Sequence, residues 1–162
     1  MRFSTIQLLN LTILLALLFV GSKWSVRQLL SDAEAVPVAT AAQIRELTTN
    51  RNSKDSFVLV DVRSKEETDV SMIPGALTKF EFEDTMAQHQ GKLVIAYCTI
   101  GVRSGQYAAD LLEKGWNARN YRGSILDWCK DNFPLTRNGK ETNQVHTYSS
   151  LYSVNENYVA VY

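Results

Sequence analysis

Two short, uninterrupted apolar runs constrain the fold of this chain more than any other feature of the sequence. They occupy residues 57–60 and 93–97. A strand that is buried on both faces has a continuous apolar run, whereas a strand with one solvated face alternates apolar and polar residues. The first run ends at Asp61 and the second at Cys98. The pattern therefore predicts two buried strands, each followed by a residue with a chemically active side chain.

Helical segments separate these strands. The clearest is 104–114, where apolar side chains recur on one face and Gly115 ends the helix. We predict helices at 41–48, 65–69, 80–89, 104–114 and 124–132, a turn and strand at 73–76, and a further strand at 117–121. Alternating helices and strands are typical of an α/β fold with a central, mostly parallel sheet flanked by helices.

Composition excludes several classes of function. The 162 residues suit about one domain, and 17 basic residues balance 17 acidic ones, so no overall positive charge attracts nucleic acid. The two cysteines, Cys98 and Cys129, lie too far apart for a CxxC pair. Only two histidines are present, and neither is near a cysteine in sequence. A zinc site needs three or four converging ligands, so we predict no metal and no cofactor.

The N-terminal 22 residues form a separate hydrophobic segment. Residues 6–20 are almost entirely apolar, and Lys23 and Trp24 follow them, as at a membrane interface. We expect a single-pass membrane anchor through residues 6–22. A cleaved signal, which would leave a secreted or periplasmic protein, and a buried core helix are the alternatives. Residues 23–38 are predicted to be a polar linker.

Cys98 is the strongest candidate for a reactive residue. It ends a predicted buried strand, and a short loop then leads into the best predicted helix. Backbone N–H groups from Thr99 to Ser104 and the positive end of the helix dipole can stabilise a thiolate there. Gly101 allows the loop to turn, and Arg103 adds a positive charge. The alternative is that Cys98 is simply a small buried residue.

Four segments, in order, resemble the motifs of the rhodanese family. The four segments are Asp61-Val62-Arg63 with Glu66-Glu67, Ile73-Pro74-Gly75-Ala76, the loop Cys98-Thr99-Ile100-Gly101-Val102-Arg103-Ser104, and Tyr121-Arg122-Gly123-Ser124-Ile125-Leu126-Asp127-Trp128. Two positions depart from the family pattern. Ser71-Met72 replaces Gly-His, and Arg122-Gly123-Ser124 replaces the usual pair of glycines. Neither departure affects the cysteine loop.

The resemblance implies a three-layer rhodanese-like domain over residues 39–135 and a sulfurtransferase activity. Cys98 would take the outer sulfur of a small anionic donor, hold it as a persulfide, and pass it to a thiol or cyanide-like acceptor; a protein acceptor remains open. Arg103 and the loop residues would bind the donor: Thr99, Ile100, Gly101, Val102 and Ser104. Asp61 and Arg63 would lie next to the site without being its main binding residues. We favour a structural ion pair for Arg63 and a role for Asp61 in fixing the local backbone.

Residues 136–162 form a tail with four of the seven tyrosines: Tyr148, Tyr152, Tyr158 and Tyr162. We expect short extended pieces lying over the domain, with an aromatic surface for a partner or a membrane as the alternative.

Two other functions compete with sulfur transfer. Tyrosine phosphatases have the motif C-x5-R, with five residues between the cysteine and the arginine. Only four residues separate Cys98 from Arg103, so this loop forms a smaller anion-binding site than a phosphatase loop. A persulfide-carrying or partner-binding module without turnover would also fit an anchored domain, and turnover with a thiosulfate-type donor distinguishes it from an enzyme.

Overall fold

A five-stranded parallel sheet organises the chain in a computed structural model that describes residues 36–53 and 55–162. The strand order is β1 (Val38–Ala39), β5 (Ala118–Tyr121), β4 (Leu93–Tyr97), β2 (Phe57–Asp61), β3 (Leu77–Thr78). All four neighbouring pairs are parallel. The predicted α/β fold with a central parallel sheet is confirmed, and β4, which precedes Cys98, is the middle strand.

Within the described part of the chain, five α-helices and two short 3-10 helices connect the strands. They are α1 (Ala41–Thr49), α2 (Lys65–Val70), α3 (Lys79–Asp84), α4 (Val102–Glu113) and α5 (Ser124–Lys130), with 3-10 turns at Arg51–Ser53 and Met86–His89. Alternate strand residues face opposite sides, so the longer strands β2, β4 and β5 contribute to two apolar layers. Leu59 and Ile95 pack with α1 and α5, whereas Val60 and Val94 pack with α3 and α4. Both faces of the sheet are therefore covered.

Three predicted helices and one predicted strand differ from the observed elements: α5 ends at Lys130 rather than at residue 132, and the strand expected at 73–76 lies at Leu77–Thr78. The helix expected over 80–89 is divided into α3 and a 3-10 turn at Thr85, where the backbone N–H is shared between the carbonyls of Glu81 and Phe82, both at 3.2 Å. The helix expected from Ser104 begins earlier, at Val102. Gly101 adopts a φ of +90° there, which turns the chain directly into α4.

The C-terminal segment packs on the domain through two small sheets. β6 (Leu135–Arg137) pairs antiparallel with β7 (Lys140–Thr142), and β8 (Gln144–His146) pairs parallel with β9 (Val159–Val161). Thr136 also forms a bridge with Met72, directly after α2. Leu135 and Val145 are fully buried in the core layer that contains α1 and α5. The segment is thus part of the packed core.

The predictions for residues 1–22, and for the linker up to residue 35, lie outside the described residues and stay predictions. Val38, at the end of the expected linker, is the first residue of β1. Within residues 36–53 and 55–162, no helix is both long and apolar enough to cross a membrane.

Candidate active site

Cys98 lies at the carboxyl end of the central strand and is only 1% exposed. Residues 98–101 form a tight loop that ends at Gly101, the N-cap of the 12-residue helix α4. Ligands of parallel α/β sheets bind at this edge, where strands end and helices begin. The Sγ atom therefore faces the positive end of the α4 dipole.

Hydrogen-bond donors of the loop surround the sulfur. The Gly101 N–H donates to Cys98 Sγ at 3.1 Å, and the N–H groups of Ile100 and Ser104 also face it. Burial acts to raise the pKa of the Cys98 thiol, but these donors stabilise the thiolate and the net result is a lowered pKa. Such an arrangement can stabilise a thiolate nucleophile without a histidine base.

The Ser104 hydroxyl lies near Cys98 Sγ but does not donate its hydrogen bond to the sulfur. Its Oγ lies 3.6 Å from Cys98 Sγ but only 2.7 Å from Asn120 Oδ1. The Asn120 amide is oriented by its Nδ2, which donates to the Gly101 carbonyl at 3.0 Å. A hydroxyl has one proton, and the shorter contact takes it. Ser104 therefore acts on the sulfur through its backbone N–H, while Asn120 fixes the loop.

Gly101 cannot carry a side chain in this loop. Its φ of +90° lies in the left-handed region, and a Cβ atom would overlap the backbone carbonyl of Arg122. Arg122 comes from the segment between β5 and α5. Close approach of these two backbones positions the Gly101 N–H at the sulfur.

Ser124 connects the same segment to Cys98, so the expectation that the departure at Arg122-Gly123-Ser124 does not affect the cysteine loop is wrong. Its Oγ accepts a hydrogen bond of 3.0 Å from the Cys98 N–H and donates one of 2.8 Å to the Tyr121 carbonyl. Ser124 has a φ of +55°, a conformation that favours glycine. The serine in place of the family's second glycine is therefore strained, and its two hydrogen bonds offset that strain.

Glu67, on α2, forms hydrogen bonds with two side chains that follow Cys98, those of Thr99 and Arg103. Its Oε2 and Oε1 accept hydrogen bonds of 2.7 and 2.8 Å from Arg103 Nη1 and Nη2. Oε1 also accepts one of 2.9 Å from the Thr99 hydroxyl. Such a bidentate pair fixes the plane of the guanidinium group. Thr99 and Arg103 are thus held by a residue more than thirty positions earlier.

Glu67 is charged although it is 2% exposed. Burial acts to raise its pKa, but hydrogen bonds from Arg103, the Ser64 N–H and Thr99 outweigh it and lower the pKa to about 2. Ser64 and Glu67 form a capping box at the start of α2, which orients the carboxylate.

Arg103 and the C-terminal segment meet at the edge of the site. The Arg103 Cζ atom lies 5.4 Å from the centroid of the Tyr148 ring, in a cation–π arrangement. Tyr148 is exposed and has a φ of +70°. One face of the guanidinium is therefore covered by the segment that follows the sheet.

Asp61 and Arg63 form a separate, fully buried ion pair. Arg63 Nη2 lies 2.6 Å from Asp61 Oδ2 and donates a second bond of 2.6 Å to the Ser71 carbonyl. Asp61 Oδ1 accepts from the Arg63 N–H at 3.1 Å, which fixes the backbone after β2. The structure thus has an ion pair at Arg63 and a side-chain to backbone contact at Asp61, the two kinds of contact that the sequence favoured.

Cys129 differs sharply from Cys98. It is fully buried on α5, and burial raises its pKa to about 12. Both cysteines are free thiols. Among the residues that the structure describes, no group of three or more His, Cys, Asp or Glu side chains is placed to hold a metal.

The predicted site residues thus fall into three groups. Gly101, Ile100 and Ser104 face the sulfur through their N–H groups, Thr99 and Arg103 contact Glu67, and Val102 is largely exposed. Sequence reasoning did not assign Glu67, Asn120 or Ser124 to the site. Two signals existed: the Ser64–Glu67 spacing of a capping box, and a polar Asn120 within a buried strand.

Comparison with known proteins identifies the family of this fold. The model of the family "Rhodanese-like domain" matches residues 41–131, more than half of the chain. A protein of Allochromatium vinosum named sulfurtransferase is 32% identical over 85 residues, which cover 50% of this chain and 79% of that protein.

Two solved structures show the same fold at low sequence identity. A protein of Bacillus halodurans has a TM-score of 0.55 and 20% identity, with 73% of this chain and 88% of that chain covered. Thiosulfate sulfurtransferase from Pseudomonas aeruginosa has a TM-score of 0.56 and 21% identity, with 66% and 21% covered. With its parallel sheet, its cysteine loop and the match over residues 41–131, this chain belongs to the rhodanese-like domain family.

Proposed function

We propose that this protein is a sulfurtransferase that carries sulfur on Cys98 as a persulfide. The observation that carries the proposal is the Sγ atom of Cys98, which receives the Gly101 N–H at 3.1 Å and has a lowered pKa. Family membership and the relative named sulfurtransferase support a general sulfurtransferase role. The donor, the acceptor and the persulfide step are our proposal.

In the first step, the Cys98 thiolate attacks the outer sulfur of a thiosulfate-type donor. An S–S bond forms between Cys98 Sγ and that sulfur, the donor's own S–S bond breaks, and sulfite leaves with the electron pair. The outer sulfur then carries the negative charge, which the loop N–H groups and the α4 dipole can stabilise. No oxidant, metal or proton transfer is needed.

In the second step, an acceptor removes the outer sulfur. Cyanide attacks it, the Cys98–sulfur bond breaks, thiocyanate leaves, and the thiolate is restored. A thiolate acceptor reacts in the same way with the protonated persulfide and leaves as a new persulfide. Both steps use one cysteine, so Cys129, buried and with a pKa of about 12, has no role in the chemistry.

We also propose that Arg103 and the loop N–H groups contact the anionic donor. Arg103 Nη1 and Nη2 bind Glu67, and Nη2 also binds Thr99 Oγ1 at 2.9 Å. These bonds use one hydrogen of Nη1 and both hydrogens of Nη2. The pKa of Arg103 is raised mainly by Glu67 and also by Cys98, with which the guanidinium group interacts. Arg103 therefore places its positive charge beside the sulfur that would meet an anionic donor.

The same geometry disfavours a phosphatase. A phosphate-binding arginine presents both terminal nitrogens to the anion. Here both nitrogens bind Glu67, and the C-x4-R loop is one residue shorter than the phosphatase loop. A module that carries persulfide without turnover is the other candidate, and it is favoured by the small exposed fraction of Cys98, 1%.

Steady-state turnover distinguishes an enzyme from a carrier. With thiosulfate and cyanide, we expect continuous thiocyanate formation by the wild type, none by Cys98→Ser, and a near wild-type rate for Cys129→Ser. A single burst of thiocyanate, equal to the enzyme concentration, would identify a carrier. Loss of turnover in a folded Cys129→Ser protein would contradict the one-cysteine mechanism.

A further inference from the structure

A groove of about 510 Å³ lies beside the cysteine loop, outside the network of Cys98 and Glu67. Ile100 forms its end at the loop. One wall runs along residues 122–130 and the other is formed by residues 153–155. The second wall lies beyond residues 41–131, the part of the chain that matches the family. One wall of the groove is therefore built from residues outside the part of the chain that matches the family.

The groove begins one residue away from the sulfur-binding N–H. The backbone of Arg122 packs against Gly101, where no Cβ fits, and the Gly101 N–H donates to Cys98 Sγ at 3.1 Å. Ile100 is adjacent to Gly101 and lines the groove. A molecule in the groove thus lies next to the loop that holds the reactive sulfur.

The far wall is held firmly in place. Asn155 Nδ2 donates to the Cys129 carbonyl at 2.9 Å and to Asn132 Oδ1 at 3.0 Å. These bonds connect the C-terminal segment to the end of α5. A wall with such anchors can shape a binding site rather than only cover the surface.

The charge of the groove favours a small anion with an apolar part. Arg122 and Lys130 are both exposed, and neither forms an ion pair with a described residue. The single carboxylate on the wall, Asp127, accepts a hydrogen bond of 3.2 Å from the Tyr121 hydroxyl through Oδ2. Ile100, Leu126 and Val154 supply apolar surface. Two cations against one carboxylate leave a net positive site.

We propose that this groove binds the sulfur acceptor, and that the acceptor is a small thiol with a carboxylate group, held by Arg122 and Lys130. The inference rests on the proposed function and names its acceptor class. The acceptor thiol transfers its proton to the negatively charged outer sulfur of the Cys98 persulfide, and the resulting acceptor thiolate attacks that sulfur as the Cys98–sulfur bond breaks. The acceptor leaves as a persulfide and Cys98 returns to a thiolate, so sulfur, proton and charge balance without a further reactant.

Two acceptors of equal length test whether the groove recognises the carboxylate. They are 3-mercaptopropionate and 3-mercaptopropanol, used with thiosulfate and the full chain. In Arg122→Gln with Lys130→Gln, we expect the ratio of kcat/KM for the acid to kcat/KM for the alcohol to fall about five- to tenfold, as for the loss of exposed charge pairs. Lys114→Gln, at the opposite end of α4 from the loop, is the matched control and keeps the wild-type ratio. An unchanged ratio in the double variant would overturn the inference.

A binding measurement separates this inference from the sulfurtransferase proposal. Ligand-observed NMR with 3-(methylthio)propionate, which has the carboxylate but no reactive thiol, requires no chemistry. We expect binding to the wild type and to Cys98→Ser, and loss of binding in the double variant. Equal binding to the double variant would refute the groove site. Binding by the wild type without any persulfide formation from thiosulfate would refute the proposed function and leave the groove site supported.

Discussion

At the residue scale, one buried carboxylate connects the cysteine loop to α2. Glu67 accepts from Arg103, from Thr99 and from the backbone of Ser64. A single partner removed from such a network leaves a buried charge or donor unsatisfied, which costs more than the hydrogen bond itself contributes. The Arg103 side chain is 38% exposed, but Glu67 below it is almost fully buried. Arg103 therefore stabilises the fold as well as the site. Its contribution to the free energy of unfolding is larger than that of an unpaired charge at the edge of a loop.

The Glu67 carboxylate makes stability depend on pH. Its pKa is about 2 in the folded protein against an ordinary 4.5, so its contribution is fully present above the ordinary value and is lost as pH falls towards the folded value. The difference corresponds to about 3 kcal/mol. We expect the wild-type free energy of unfolding to fall between about pH 5 and 2, and Glu67→Gln to show a flatter profile.

Urea denaturation at several pH values measures this dependence. Glu46→Gln, at an exposed position of α1, is the matched control. A Glu67→Gln profile parallel to that of the wild type would show that the carboxylate has no ionic partner in solution.

The residues that sequence reasoning found and those it missed differ in a physical way. Cys98, Gly101 and Arg103 belong to one continuous loop, so their spacing alone indicates a thiolate site. Asn120 and Ser124 reach the loop only through the fold, from 19 and 26 positions away. Such contacts depend on the order of strands in the sheet, which a single sequence without a structure does not determine.

At the element scale, the turn between β4 and α4 determines where the sulfur lies. Gly101 and Gly115 flank this helix at its two ends, with φ values of +90° and +82°. A Cβ at Gly101 would overlap the Arg122 carbonyl, whereas a Cβ at Gly115 would meet no atom within 4 Å. A side chain at Gly115 would therefore cause backbone strain alone, whereas a side chain at Gly101 would cause both backbone strain and steric overlap.

Alanine at these glycines gives two different results. We expect Gly115→Ala to lose about 1–2 kcal/mol of stability from the left-handed conformation alone and to keep its activity. Gly101→Ala should lose more stability and most of its sulfurtransferase activity, because the loop must move away from Arg122. Thermal melting and thiosulfate turnover of both variants provide the comparison. Equal effects on activity would show that loop closure at Arg122 does not position the sulfur.

The strands were predictable and the helix ends were less so. The run 93–97 matches β4 and the run 57–60 lies within β2, because burial on both faces leaves a plain apolar signal. Helix ends depend on local hydrogen bonds, such as the Thr85 N–H that is shared between the Glu81 and Phe82 carbonyls at the end of α3. The spacing of apolar residues in the sequence does not indicate where such a bond forms.

At the scale of the whole molecule, the C-terminal segment contributes to the core and to the site. β8 follows β7 closely, and Val145 within it is fully buried. Tyr148 lies over Arg103, and residues 153–155 form a wall of the groove. The segment therefore completes one side of the family domain.

Identical substitutions within this segment test that role. Leu135 is fully buried and Leu151 is 89% exposed. We expect Leu135→Ala to lose about 2–5 kcal/mol, because it leaves a cavity in the core. Leu151→Ala should change the free energy of unfolding by less than about 0.5 kcal/mol. Chemical denaturation checks both, and similar small losses would mean that the segment does not pack on the domain in solution.

The most direct test of the central claim is the intact mass of the purified protein after exposure to thiosulfate. We expect the wild type and Cys129→Ser to gain the mass of one sulfur atom, to lose it on addition of cyanide, and Cys98→Ser to gain nothing. A wild-type protein that gains no sulfur, or a Cys98→Ser protein that still gains it, would contradict sulfur transfer through Cys98.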